Sequence, residues 1–168
     1  MVIAIAAIAF FVGRSLPPGP IGSNGPGTAG QPTPLPSPTR EDVPADTVVP
    51  GATSTNLPPG VAQPENVKLS GDASSPYLKD FHVTVKNDTV SPDNIVTYVR
   101  DIVTITFESG DKAYDFIQPD LGLRWQVPAG GSKTMQFQTA STGKFIFYCS
   151  SCGGPGKGPV GYIVSAAR

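Results

Sequence analysis

The sequence predicts an all-β fold, an antiparallel sandwich or Greek-key barrel, confined to about the last ninety of its 168 residues. Three observations carry that expectation. No aromatic residue occurs between Phe11 and Tyr77, and aromatics then recur as far as Tyr162. Thirteen of the 19 prolines lie between Pro17 and Pro64. From Phe81 onward, short runs rich in Val, Ile, Thr, Phe and Tyr alternate apolar with polar residues, and no window of about eleven residues carries a helical stripe. A domain of this size can bury a core of its own, though a small one.

Residues 1–14 open with an apolar run that Arg14 closes. The run is short of the roughly twenty residues that cross a hydrocarbon core. It reads as a membrane anchor or signal segment. A signal should have basic residues ahead of its apolar region, and none precedes this one, so the native start is expected upstream of Met1. This expectation puts the chain at the cell membrane, held through its N-terminal segment, with the domain on the extracytoplasmic side. Residues 15–76, rich in Pro, Gly, Ser and Thr, read as a disordered or polyproline-like linker that spaces the domain at about 3 Å per residue.

Residues 77–168 hold the predicted strands: 81–88, 94–99, 101–109, 114–118, 132–140, 143–149 and 161–166. Alternation places Phe145, Phe147 and Cys149 on one face and Ile146 and Tyr148 on the other. His82 shares the polar face of its strand with Thr84 and is expected to face solvent. Cys149 ends a strand. Five glycines and two prolines in the thirteen residues from Cys149 to Gly161 argue against any helix there.

Charge narrows the function. A net charge of −1 with scattered basic residues gives no footprint for nucleic acid and no basic membrane-surface patch. One histidine cannot build a multi-histidine zinc site, and hydrolytic triads would depend on His82 alone. The chain is not expected to be catalytic by itself.

A strand ending Tyr148-Cys149, a tight Gly-rich loop and a Gly161-Tyr162-Ile163-Val164 strand resemble the ligand loop of the cupredoxin superfamily. Residues 111–149 resemble the periplasmic copper (CuA) domain of cytochrome c oxidase subunit II, and the likeness covers about Phe81 to Ala166. The resemblance implies a Greek-key cupredoxin-like sandwich. In that family two His, two Cys, a Met and a backbone carbonyl hold a binuclear copper centre. Aligning Phe116 and Pro119 puts Tyr114 where the first His stands. Starting the loop at Cys149 puts Lys157 at the second His, Val160 at the Met and Gly153 at the second Cys; in single-copper members Cys152 would stand at a His. The histidine and methionine ligands are therefore missing, and copper(II) beside a thiolate needs imidazole.

Three readings remain for Cys149 and Cys152. One is a disulfide, as extracytoplasmic cysteines usually form. Another is a thiolate site for copper(I), with Tyr114 or Asp115 as a third ligand by family geometry. The last is thiol–disulfide exchange, which here lacks the helix N-terminus that commonly activates such pairs. Asn87-Asp88-Thr89 matches a glycosylation sequon. Trp125 reads as a half-buried strand anchor or, by resemblance, as an aromatic at a redox-partner surface. The functional expectation is an accessory or binding module with a degenerate copper site and an envelope or respiratory protein as partner. The alternative is a copper-binding or electron-transfer protein using the Cys149 and Cys152 thiolates.

Overall fold

The computed structural model describes residues 41–72 and 75–168; the anchor segment 1–14 and the spacer as far as residue 40 lie outside them. Among the described residues ten strands form: β1 (Asn66–Leu69), β2 (Tyr77–Lys86), β3 (Thr89–Ser91), β4 (Asn94–Tyr98), β5 (Ile102–Ser109), β6 (Tyr114–Gln118), β7 (Leu123–Val127), β8 (Ser132–Gln138), β9 (Gly143–Cys149) and β10 (Val160–Ala166). One sheet runs β1-β2-β5-β8, with β3 paired to the end of β2; the other runs β4-β10-β9-β6-β7. All seven runs read from alternation are strands. β1, β3 and β7 are additional: β1 and β3 are short, and β7 exposes Arg124 and Gln126 between its inward residues.

The sandwich is mixed rather than wholly antiparallel. β2 pairs parallel with β5, and β10 parallel with β4. The physical cause is the crossover: after the β2–β3 hairpin the chain enters the second sheet as β4, then returns beside β2 in the same direction. That hairpin turns on Asn87 and Asp88, both left-handed at φ 52° and 57°, a conformation Asn and Asp tolerate best among non-glycine residues. Asn87 of the sequon is exposed at this tip.

The core draws inward residues from both sheets, including Phe81, Val83 and Val85 of β2, Ile105 and Phe107 of β5, and Ile163 of β10. At its centre four rings, Phe107, Phe116, Trp125 and Phe147, each meet the other three with centroids 5.1–5.8 Å apart. Phe107 comes from the first sheet and the other three from the second, so this packing joins the layers. Gly161 of β10 lies opposite Phe147 of β9, and a Cβ there would overlap the Phe147 ring.

Residues 41–64, which composition places within the spacer, pair with the second sheet. Lys144 N–H donates to Glu41 O at 3.1 Å on one side, and Val61 bridges Asn94 on the other. Val96 lies on the side of β4 opposite the core residue Ile95, yet is only 6% exposed. It lines a cavity of about 710 Å³ with Val48, Pro50, Leu57 and Pro58. Ala62, 1% exposed, joins the core itself. A Pro- and Thr-rich strap of this kind is ordered by the strand edges it caps, which composition cannot reveal.

One end of the sandwich is closed by charge. Asp101 is fully buried and accepts from Lys79 Nζ at 3.2 Å, Thr97 Oγ1 at 3.1 Å, the N–H groups of Tyr77 and Tyr98, and the Arg168 guanidinium. Burial alone would push the Asp101 carboxyl up; Arg168, the Lys79 charge and the two N–H groups outweigh it and hold it below the ordinary carboxylate value. Burial also pushes Lys79 down, further than Asp101 raises it.

Two outcomes are expected. Gly161→Ala should lower stability by about 1–3 kcal/mol in chemical denaturation, because Phe147 must leave its place. A depressed carboxylate contributes stability above its unfolded pKa of about 3.9 and loses it as pH falls through the folded value. Asp101→Asn should therefore cost about 3–5 kcal/mol near neutrality, by stranding buried Lys79. It should also flatten the acid limb of stability against pH.

Candidate functional site

The end of the sandwich opposite Asp101 carries the loop that sequence reading singled out. Cys149 ends β9 in register with Phe116, which pairs with Trp125. Trp125, Phe116 and Cys149 thus form one row across three strands. Cys149 is fully buried, and its N–H donates to Pro159 O at 3.1 Å. The next residue turns the chain: Ser150 N–H donates to Asp115 O at 2.8 Å and Ser150 Oγ donates to Asp115 Oδ2 at 2.8 Å. Cys149 and Cys152 are joined by a disulfide, their Cα atoms 5.3 Å apart.

Beyond Cys152 the loop contains a single 3₁₀ turn, Gly154–Gly156, with Pro155 in its first turn. The expectation of no helix is corrected to that extent. Gly153 at φ 104° and Gly154 at φ 71° supply the left-handed geometry that lets Pro155 start a tight turn. Gly158 N–H closes it onto Gly154 O at 2.9 Å, and a Cβ on Gly158 would meet Cys152 Cβ at 2.9 Å. The glycines are needed for this packed hairpin of loop, and the turn is too short to present a helix N-terminus to Cys149.

Tyr114 is fully buried, with its ring stacked on Phe116 at 6.0 Å. Its hydroxyl donates to the Asp111 carboxylate at 2.9–3.0 Å and accepts from Asp88 N–H at 3.3 Å. Lys112 pairs with Asp88 at 2.8 Å and lies 5.5 Å over the Tyr114 ring. Burial, then the Asp111 carboxylate, raise the Tyr114 pKa above its ordinary value, although the Asp88 N–H works the other way. Burial would push Asp111 up, but hydrogen bonds from Asn87 N–H, Lys112 N–H and the Tyr114 hydroxyl leave it lowered. The phenol is held protonated, the form without value as a copper ligand.

The other singled-out residues do not converge on the sulfurs. Lys157 is exposed. Val160 begins β10 opposite Tyr148, on the side away from the core residue Ile163. His82 lies on the outer side of the first sheet, 3.1 Å from Glu108. Among the described residues no group of three or more His, Cys, Asp or Glu could hold a metal ion. Trp125 is buried at 5% exposure, not half-buried or at a surface, and its indole N–H has no hydrogen-bond partner among the described residues. Sequence reading missed the Tyr114–Asp111 pair, the Ser150–Asp115 clasp and the Lys79–Asp101–Arg168 group. Lys79 in the inward series with Phe81 and Val83 was the available signal for the last.

Fold and site together define a two-sheet sandwich with a disulfide-closed loop leaving the end of one inner strand. Residues 66–160 match the model of the cupredoxin-like domain, and the chain belongs to that family. No curated protein matches it. Solved structures similar in fold include a copper binding protein in the apo form, at 19% identity and TM-score 0.47, covering 62% of this chain and 94% of that one. Another is the metal binding domain of the Cu(I)-exporting P-type ATPase CopA of Streptococcus pneumoniae D39, at 14% identity and TM-score 0.47, covering 60% and 94%. The periplasmic domain of cytochrome oxidase subunit II (CoxB) of Bradyrhizobium japonicum aligns at 17% identity and TM-score 0.45, covering 53% and 84%.

The raised Tyr114 is directly observable. In an ultraviolet pH titration of the five tyrosines, one should ionise above the ordinary value of about 10. Since its pKa is raised, its contribution to stability is present below about pH 10 and lost as pH rises through the folded value. Tyr114→Phe should remove that late transition from the titration.

Proposed function

We propose that this chain is a membrane-tethered, extracytoplasmic cupredoxin-like module, related to cytochrome c oxidase subunit II, with a degenerate copper site. It serves as an accessory or binding module for another envelope or respiratory protein. One observation carries this reading: the loop that holds copper in the resembled family is closed here by the Cys149–Cys152 disulfide. Lys157 and Val160 stand where the family's histidine and methionine ligands would be. These residues do not fit a blue or binuclear copper(II) centre, which needs imidazole nitrogen beside thiolate. Tyr114 cannot replace that nitrogen while its oxygen is tied to Asp111 and Asp88.

A second reading rests on the same loop. Once reduced, the two sulfurs are soft donors on one short segment, suited to copper(I) at low coordination number. Proteins similar in fold include an apo copper-binding protein and a Cu(I) exporter domain.

The test is the intact mass of the chain made without reductant in a secreting host, before and after alkylation, with copper analysis after incubation with the metal. A mass two hydrogens short, no alkylation and no copper are the expected outcome. Alkylatable thiols with stoichiometric copper, lost in Cys149→Ser, would establish the second reading instead. Protease added to intact cells should remove residues 77–168 if the domain lies outside the membrane; protection would overturn the localisation.

A further inference from the structure

We infer that the Asp101 end of the sandwich binds a short dicarboxylate, held by Arg100 and Arg168. A cavity of about 580 Å³ opens there, with Pro76, Val99 and Ala140 as its apolar wall and Arg100, Gln138 and Arg168 among its polar residues. A smaller depression of about 350 Å³ shares Val99, Arg100 and Arg168 with it, so the two arginines border both spaces. Small-molecule sites commonly occupy about 300–1,000 Å³ and combine apolar walls with a few polar groups that fix orientation. Among the described residues no carboxylate side chain lines either space.

Arg100 stands where a side chain is least favoured. Its φ is 70°, in the left-handed region that suits glycine and disfavours residues with a Cβ. The backbone is fixed there from both sides: Arg100 N–H donates to Thr139 O at 3.0 Å, and Arg100 O accepts from Gln138 Nε2. Its side chain is exposed, and among the described residues no hydrogen bond or ion pair holds the guanidinium. Glycine would form this turn without strain, so the turn does not account for the arginine; an anion in the cavity does. The neighbouring polar groups are already engaged, since Thr139 Oγ1 lies 2.7 Å from Ser165 Oγ and the Gln138 amide is spent on Arg100 O.

Arg168 is held in place. Its guanidinium donates to Asp101 and, through Nη1, to Ser75 O at 3.4 Å, and its carbon lies 5.0 Å from the Tyr77 ring centroid and 5.8 Å from that of Tyr98. A guanidinium has five N–H donors, and the Arg168 side chain remains 37% exposed. Asp101 is shared with Lys79, so its charge does not serve Arg168 alone. A guanidinium takes a carboxylate through two parallel N–H···O bonds. One carboxylate on Arg100 and a second on Arg168 leave the carbon chain between them for Pro76, Val99 and Ala140. Inorganic phosphate has no apolar part to use that wall. The site lies at the end of the sandwich away from the Cys149–Cys152 loop, so it stands or falls apart from the proposed function.

The test is a nuclear magnetic resonance titration of the oxidised full-length chain with glutarate at constant ionic strength, with acetate and inorganic phosphate as separate arms. The amide signals of Val99, Arg100, Thr139 and Ala140 should shift saturably with glutarate, and those of 150–158 should stay in place. Acetate and phosphate should each bind about tenfold more weakly or less, for want of a second carboxylate on a carbon chain. Arg100→Gly should weaken glutarate about tenfold and leave the fold intact, since glycine suits this φ. Arg100→Lys should also weaken it, because the charge stays and the planar fork is lost. Unchanged affinity in Arg100→Gly, phosphate binding as tightly as glutarate, or no saturable shift with glutarate would each overturn the assignment.

Discussion

Four rings in mutual contact hold this sandwich together, and the rest of the domain is arranged around them. Phe107 reaches from the first sheet into Phe116, Trp125 and Phe147 of the second. Aromatic pairs at such separations add about 0.5–1.5 kcal/mol each beyond the area they bury. The same contacts set local geometry at a distance. Phe147 excludes any side chain from Gly161, and Phe116 lies in the row on which Cys149 falls.

The two ends of the sandwich solve the problem of polar groups at a core boundary differently. At one end Asp101 accepts from an ammonium, a guanidinium, a hydroxyl and two backbone N–H groups, and so satisfies a carboxylate with no solvent. The residues involved come from β2, β4, the start of β5 and the segment after β10, so the group closes both sheets. At the other end Asp111 does lighter work at an exposed site. It receives the Tyr114 hydroxyl and the Asn87 N–H, tying the β2–β3 hairpin to β6. The loop of Cys149 and Cys152 rises beside that second group, on a base already committed to structure.

This commitment bears on function. A cupredoxin-like fold brings the end of one inner strand and the start of another close together, which is where a metal can be held. In this chain the two sulfurs there are bonded to each other, and the Tyr114 phenol donates to the Asp111 carboxylate. One of the two bonded sulfurs belongs to a core strand and the other to a glycine-rich loop.

The sequence by itself determined the all-β class and seven of the strands, because alternation at period two records which face of a strand is buried. It also placed Phe145, Phe147 and Cys149 on one face of a strand, the face that the structure buries. Strand direction lay beyond it: alternation is the same for parallel and antiparallel partners, so the β2–β5 and β4–β10 pairings were decided by the crossover. The ordering of residues 41–64 was likewise tertiary, since a Pro- and Thr-rich strap gains its order only from free strand edges elsewhere in the chain. Tyr114 shows the same division. Its place on a strand was legible from alternation, but its protonation depends on Asp111 and Asp88, which the fold brings to the same oxygen.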